Sequence, residues 1–182
     1  MKMKLALLAA SLLLFTAQAN AATVASNFNV SSSVQGTCVI TAAEAINFGS
    51  YDPTSTHATT PLDASGSLSV RCTAGSTNVR IGLSPGTNPD PGASAGNPAR
   101  RLASGSSRIY YMLYKEPSRT VSSWWEGTNM FGWPNTSTRD PILNSFPSSL
   151  TPVVVPIYAR IFAGQNAAIG NYSDQITITV TF

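Results

Sequence analysis

From Val24 to Phe182 the apolar residues recur mostly at every second position. The clearest run is Gln175 to Phe182, in which Ile176, Ile178, Val180 and Phe182 alternate with Gln175, Thr177, Thr179 and Thr181. Such a run is a half-buried strand of an antiparallel sheet, rich in β-branched residues. The sequence as given stops within that strand. The same period returns at Leu68-Val70-Cys72, Val79-Ile81-Leu83, Ile109-Tyr111-Leu113 and Val153 to Phe162. Pro156 interrupts the last run, which predicts an edge position or a bend there. Stretches rich in Pro, Gly, Ser and Asn separate the strands, notably Ser84 to Pro98 and Asn135 to Pro152. No segment holds a 3.6-residue period over three turns, and no internal repeat or domain boundary is visible. Many short strands joined by such turns predict an all-β sandwich.

The segment ahead of Cys38 is unusual. Val24, Phe28, Val30 and Val34 share one face with Ser26 and Ser32, while Asn27, Asn29, Ser31, Ser33 and Gln35 occupy most of the other. Val24 to Val34 would span roughly 33 Å when extended, longer than a typical strand. It reads either as the first strand of its own sandwich or as a strand meant for another molecule's sheet, its apolar side chains filling that molecule's pockets. Upstream, Lys2 and Lys4 precede an apolar run from Leu5 to Phe15, followed by Ala17-Gln-Ala19 and Ala19-Asn-Ala21. This is the pattern of a secretory signal peptide over residues 1–21, with two overlapping cleavage options, the one after Ala21 preferred. The apolar run is far short of the twenty or so residues a membrane anchor needs.

Export changes the meaning of the cysteines and of the charge. Cys38 and Cys72 are the chain's 2 cysteines, an even pair in an oxidising compartment and not a C-x-x-C redox motif, so they predict a structural disulfide. The formal charge of +3 includes Lys2 and Lys4; without them it is 9 − 8 = +1. Nucleic-acid and anionic-membrane binding are thereby excluded. Charged residues are only 10% of the chain against 43% hydrophobic, which excludes disorder driven by net charge. The 13 Gly and 12 Pro argue against a helical bundle.

Taken in order, several motifs make the chain resemble the spore coat protein U domain family, shared with subunits of archaic chaperone–usher pili. They are Cys38-Val-Ile, Ile46-Asn-Phe-Gly-Ser-Tyr-Asp-Pro53, Gly66-Ser-Leu-Ser-Val-Arg-Cys72 and Tyr111-Met-Leu-Tyr114. The Arg119-Thr120 and Trp124-Trp125 region follows, then Tyr158 to Gln165 and Gly170 to Phe182. The resemblance covers essentially the whole chain after residue 21. It implies an immunoglobulin-like sandwich over residues 37–182 that lacks its final strand and is completed by a donor strand from a neighbouring subunit. The donor would be Ala22 to Gly36, carried by Val24, Phe28, Val30 and Val34. The receiving groove would be flanked by the C-terminal strand with Ile176, Ile178, Val180 and Phe182. The implied partners are neighbouring copies or related pilins, a periplasmic chaperone and an outer-membrane usher. The implied route is Sec export through the periplasm to a surface pilus or a spore or cell-surface coat. A two-domain tip adhesin has no room for its second domain.

Chemistry adds little to this picture. His57, the chain's only histidine, lies near Asp52 in a polar turn, and no G-x-S-x-G elbow marks a nucleophile. The eight carboxylates are scattered, without a calcium loop or a phosphate-binding glycine loop. No enzyme activity, cofactor, metal or small-molecule substrate is expected, and Asp52 in Tyr-Asp-Pro reads as a turn former. The competing reading is a secreted carbohydrate- or surface-binding module. It would use Trp124, Trp125 and Trp133, with Met130 and Phe131, as an exposed aromatic loop.

Overall fold

The computed structural model describes residues 22–94, 98–120 and 142–182. The proposed signal peptide and the Trp124, Trp125 and Trp133 loop lie outside the described residues. The chain divides into two units, Met1–Ser33 and Val34–Phe182. In the first, residues 22–33 form no helix or strand, and Val24, Phe28 and Val30 are 97%, 86% and 85% exposed.

Among its described residues the second unit is all-β apart from one short helical turn, α1 (Thr56–Thr59). Its strands are β1 (Cys38–Ala43), β2 (Leu62–Cys72), β3 (Val79–Leu83), β4 (Arg100–Ser104), β5 (Ser107–Tyr114), β6 (Ile142–Leu143), β7 (Val153–Ile161) and β8 (Ile178–Thr181). They form one sheet in the order β1-β2-β7-β5-β4 and a second in the order β6-β3-β8, with antiparallel neighbours throughout. The alternation read from sequence sets the core. Leu68, Val70 and Cys72 of β2, Val79, Ile81 and Leu83 of β3, and Ile109, Tyr111 and Leu113 of β5 are all buried. On β7 the odd positions Val155, Ile157, Ala159 and Ile161 face inward, while Val154 is 62% exposed. Phe146 closes the core from a loop read only as a turn-rich stretch.

Constant-type immunoglobulin sandwiches place strands A, B, E and D on one sheet and C, F and G on the other. Taking β1, β2, β3, β5, β7 and β8 as A to F reproduces A-B-E-D and C-F, with β4 added beyond D and β6 beyond C. Tyr172, just ahead of β8, donates its hydroxyl to the Ala168 carbonyl at 2.8 Å. This is the tyrosine corner expected at the start of strand F. The G position is beside β8, on the edge away from β3, and no described strand pairs there.

Two sequence expectations change in detail. Pro156 lies in β7, in the middle of the sheet, where it pairs with Ser67 of β2. Pairing between β5 and β7 ends at Tyr114 and Tyr158, so at Pro156 the strand has a neighbour on one side only. A missing N–H is tolerated there as it is on an edge. The C-terminal strand is shorter than its eight-residue alternation. Only Ile178–Thr181 is ordered as β8, and the pairing runs on to Thr177, whose carbonyl accepts from Ser84 N–H at 2.9 Å.

Candidate functional site

After β1 the chain crosses over β2 at Gly66. A Cβ there would lie 2.9 Å from Ile46 Cγ1 and 3.0 Å from the Glu44 carbonyl, so no larger residue fits. The crossing is tied by Glu44 N–H to the Ser67 carbonyl and by the Ser67 hydroxyl to the Glu44 carboxylate, both at 2.8 Å. It delivers residues 45–53 to the rim of the sandwich as one wall of a groove of about 890 Å³. The second wall is residues 167–174, and Leu102, Ile109 and Ile161 form the floor.

Both walls are held by tyrosine hydroxyls. Tyr51 donates to the carbonyls of Phe162 (3.0 Å) and His57 (3.2 Å) and accepts from Gln165 N–H (3.0 Å). Gln165 in turn brackets Tyr110, its amide oxygen accepting from the backbone N–H at 2.6 Å and its amide nitrogen donating to the carbonyl at 2.8 Å. On the other wall, the Tyr172 hydroxyl meets Ser107 Oγ at 2.6 Å, and Ser173 exchanges backbone bonds with Ala103 of β4. Asp174 accepts from the Tyr111 hydroxyl (2.7 Å), Thr87 N–H (2.8 Å) and Gln175 N–H (2.9 Å). Burial first, and then the Asp174 charge, push the Tyr111 phenol far above its ordinary value, so it stays a neutral donor. Gly86, at φ +89°, passes against the same carboxylate, which a Cβ would strike. Arg100 is fully buried and donates to the carbonyls of Leu83 and Ser84 at 2.9 Å each, joining β4 to the end of β3 across the sandwich.

The apolar surface continues past the groove. Ile176, Ile178 and Val180 are only partly buried against the core, and Phe182 is 61% exposed. On β1, Ile40 pairs with Val70, which is completely buried, yet Ile40 is 42% exposed. The core is therefore uncovered between β1 and β8. Val34, the last of the four arm residues named from sequence, is 83% exposed.

Cys38 and Cys72 are directly opposite on β1 and β2 and form a disulfide, with Cα atoms 4.1 Å apart. The neighbouring pair is hydrogen-bonded through Thr73 N–H to the Thr37 carbonyl at 2.9 Å. That makes the cysteines the close, non-hydrogen-bonded pair of the ladder. Asp52 caps a turn, accepting from Thr54 N–H, the Thr54 hydroxyl and Ser55 N–H, and the Thr54 hydroxyl leads in holding its carboxyl below the usual range. His57, in the polar turn read from sequence, is half-buried. It stacks on Tyr51 with ring centroids 5.1 Å apart and lies 3.0 Å from the Thr60 carbonyl. Tyr51, Gly66, Gln165 and Asp174 all stand inside the motifs that carry the family resemblance, but period and spacing gave them no role.

Among the described residues no group of three or more His, Cys, Asp or Glu is placed to hold a metal, and no helix is long and apolar enough to cross a membrane. The fold defines a disulfide-linked, immunoglobulin-type β-sandwich with no described strand beside β8 on the edge away from β3. The match to the Spore Coat Protein U domain runs over residues 24–179, and the chain belongs to that family. Protein U of Myxococcus xanthus is 36% identical over 181 residues, covering 96% of this chain and 93% of that protein. A solved chain in the CsuC–CsuE chaperone–tip adhesion subunit pre-assembly complex, from archaic chaperone-usher Csu pili of Acinetobacter baumannii, is similar at a TM-score of 0.48 and 22% identity. The match covers 82% of this chain and 40% of that one.

Proposed function

We propose that the protein is an exported structural subunit that polymerises by donor-strand complementation into a surface pilus or coat. Residues 1–21 are its signal peptide, Ala22 to Gly36 its donor arm and residues 37–182 its acceptor sandwich. The observation that carries this reading is the edge of β8 with no neighbour among the described strands, beside a core left partly uncovered at Ile40, Ile176, Ile178, Val180 and Phe182, in a chain whose arm displays four apolar side chains at strand spacing. An unpaired edge and an exposed core are costly for an isolated subunit. A strand inserted there gains backbone bonds along β8 and buries Val24, Phe28, Val30 and Val34, each worth about 1.5–3 kcal/mol. Before assembly a periplasmic chaperone lends the strand, and at an outer-membrane usher the arm of the next subunit replaces it. Each subunit gives one strand and takes one, so the contact is head-to-tail and builds a fibre.

The test compares residues 22–182 with residues 37–182 carrying Ala22 to Gly36 fused after Phe182 through a flexible linker. The fused form is expected to be a stable monomer with a raised Tm, and the parent to be labile or to ladder on an unboiled gel. Equal, monomeric, stable behaviour of both would overturn the reading.

A further inference from the structure

Thr73 makes an unusual set of bonds at the root of the arm. Its Oγ1 accepts from Thr37 N–H at 3.0 Å and lies 3.2 Å from the Gln35 carbonyl, to which it donates. Its own N–H donates to the Thr37 carbonyl at 2.9 Å. One side chain thus holds the residues on both sides of Gly36, the only glycine between Ala22 and Cys38. The disulfide to Cys72 fixes the next residue, Cys38.

The root also sits at a particular end of the sandwich. Cys72 ends β2 and Val79 opens β3, and the neighbouring Arg80 pairs with Thr181 at the end of β8. The root, residues 34–37, therefore lies at the same end of the sandwich as the C-terminal end of β8. To reach its own groove, the arm would have to reverse at Gly36 and run back alongside β1, which breaks the bond from Thr73 to the Gln35 carbonyl.

We infer that Thr73 is a root clamp that keeps the arm from closing on its own sandwich, so that the groove is filled by the arm of a second copy. The inference rests on the strand-donation reading above. It assigns Thr73 a positioning role in the choice between a closed monomer and a fibre.

The experiment refolds the full chain, recovered after export and kept oxidised, over a range of concentrations, and reads mass by light scattering. The wild type is expected to form oligomers that grow with concentration. Thr73→Val keeps the β-branched shape and removes the hydroxyl; it is expected to raise the monomer share roughly threefold to tenfold. A flexible insertion of about five residues after Gly36, long enough for a hairpin connection, is expected to give monomers at every concentration. A wild type that closes into stable monomers, or a Thr73→Val chain and an insertion chain that both assemble like the wild type, would overturn the clamp. Excess peptide of residues 22–36 is added in parallel and is expected to suppress wild-type assembly. If it has no effect, the strand-donation reading fails and takes the clamp with it; if it suppresses assembly while both variants still behave as wild type, the clamp alone fails.

Discussion

Arg100 shows how far a single side chain departs from what alternation predicts. It is fully buried at an inward position of β4, and the Leu83 and Ser84 carbonyls it satisfies belong to the opposite sheet. Arg100→Met removes those donors and leaves two carbonyls without them. Unfolding stability is expected to fall by about 2–4 kcal/mol, read as a lower urea midpoint at constant slope; an unchanged midpoint would refute the role. A gentler case is Asp63, whose carboxylate takes two bonds from Arg160 at 2.7 and 2.8 Å and lies 3.5 Å from Arg119. The Arg160 bond leads in holding that carboxyl below the usual range. A depressed carboxylate contributes stability above its unfolded value and loses it as pH falls through the folded one. Asp63→Asn should therefore lower Tm at pH 7, and the gap to the wild type should start to close only below about pH 4, vanishing as pH falls through the depressed folded value. The side chain is 36% exposed, so screening limits the effect to about 1 kcal/mol at most. Neither residue was legible from spacing, because partners such as Asp63 and Arg160 meet only through strand register, 97 positions apart in sequence.

At the level of elements, period 2 was the informative signal, since the inward positions of a paired strand are mostly apolar where its face is covered, Arg100 being the exception that its two carbonyl partners allow. It located β2, β3, β5 and β7 and the residues they bury. It overstated β8, because alternation records which face a residue shares and says nothing about whether a neighbouring strand exists on both edges. The pairing of Cys38 with Cys72 followed from the count of two, but their direct opposition on β1 and β2 did not. Closing a separation of 34 residues is worth about 4 kcal/mol in the chain-entropy picture. Cys38→Ser is thus expected to destabilise the subunit before any assembly, and reduction of the wild type should lower its unfolding midpoint likewise. A variant as stable as the oxidised parent would rule that out. The groove wall makes a separate element-scale prediction. Tyr51→Phe keeps the stack on His57 but loses the hydroxyl that takes Gln165 N–H. It should cost about 1 kcal/mol and speed hydrogen exchange at Gln165, whereas a global change in exchange would point to some other role.

For the whole molecule, the proposed assembly makes the arm of one copy and the groove of the next two halves of one strand pairing, and they should fail independently. The arm's alternation was visible in the sequence, whereas the groove wall of residues 45–53 depends on the close crossing at Gly66, and the exposure of Ile40 beside buried Val70 on strand register. Phe28 is the largest of the four arm side chains and is 86% exposed, so its replacement touches no core. Phe28→Asp would carry a carboxylate against the apolar side chains the neighbouring sandwich leaves partly uncovered, where an unpaired charge is strongly disfavoured. Its own sandwich should melt as the wild type does once a wild-type arm peptide fills the groove, because its acceptor side is intact. Its own arm, offered as a peptide to a wild-type subunit, should neither stabilise that subunit nor join a fibre. A mixture of variant and wild-type chains should then form short fibres, each ending where a variant arm would have been donated, with mean length falling as the variant fraction rises. Fibres of undiminished length in that mixture would show that Phe28 does not enter the neighbouring groove, and would place the donor register elsewhere along the arm.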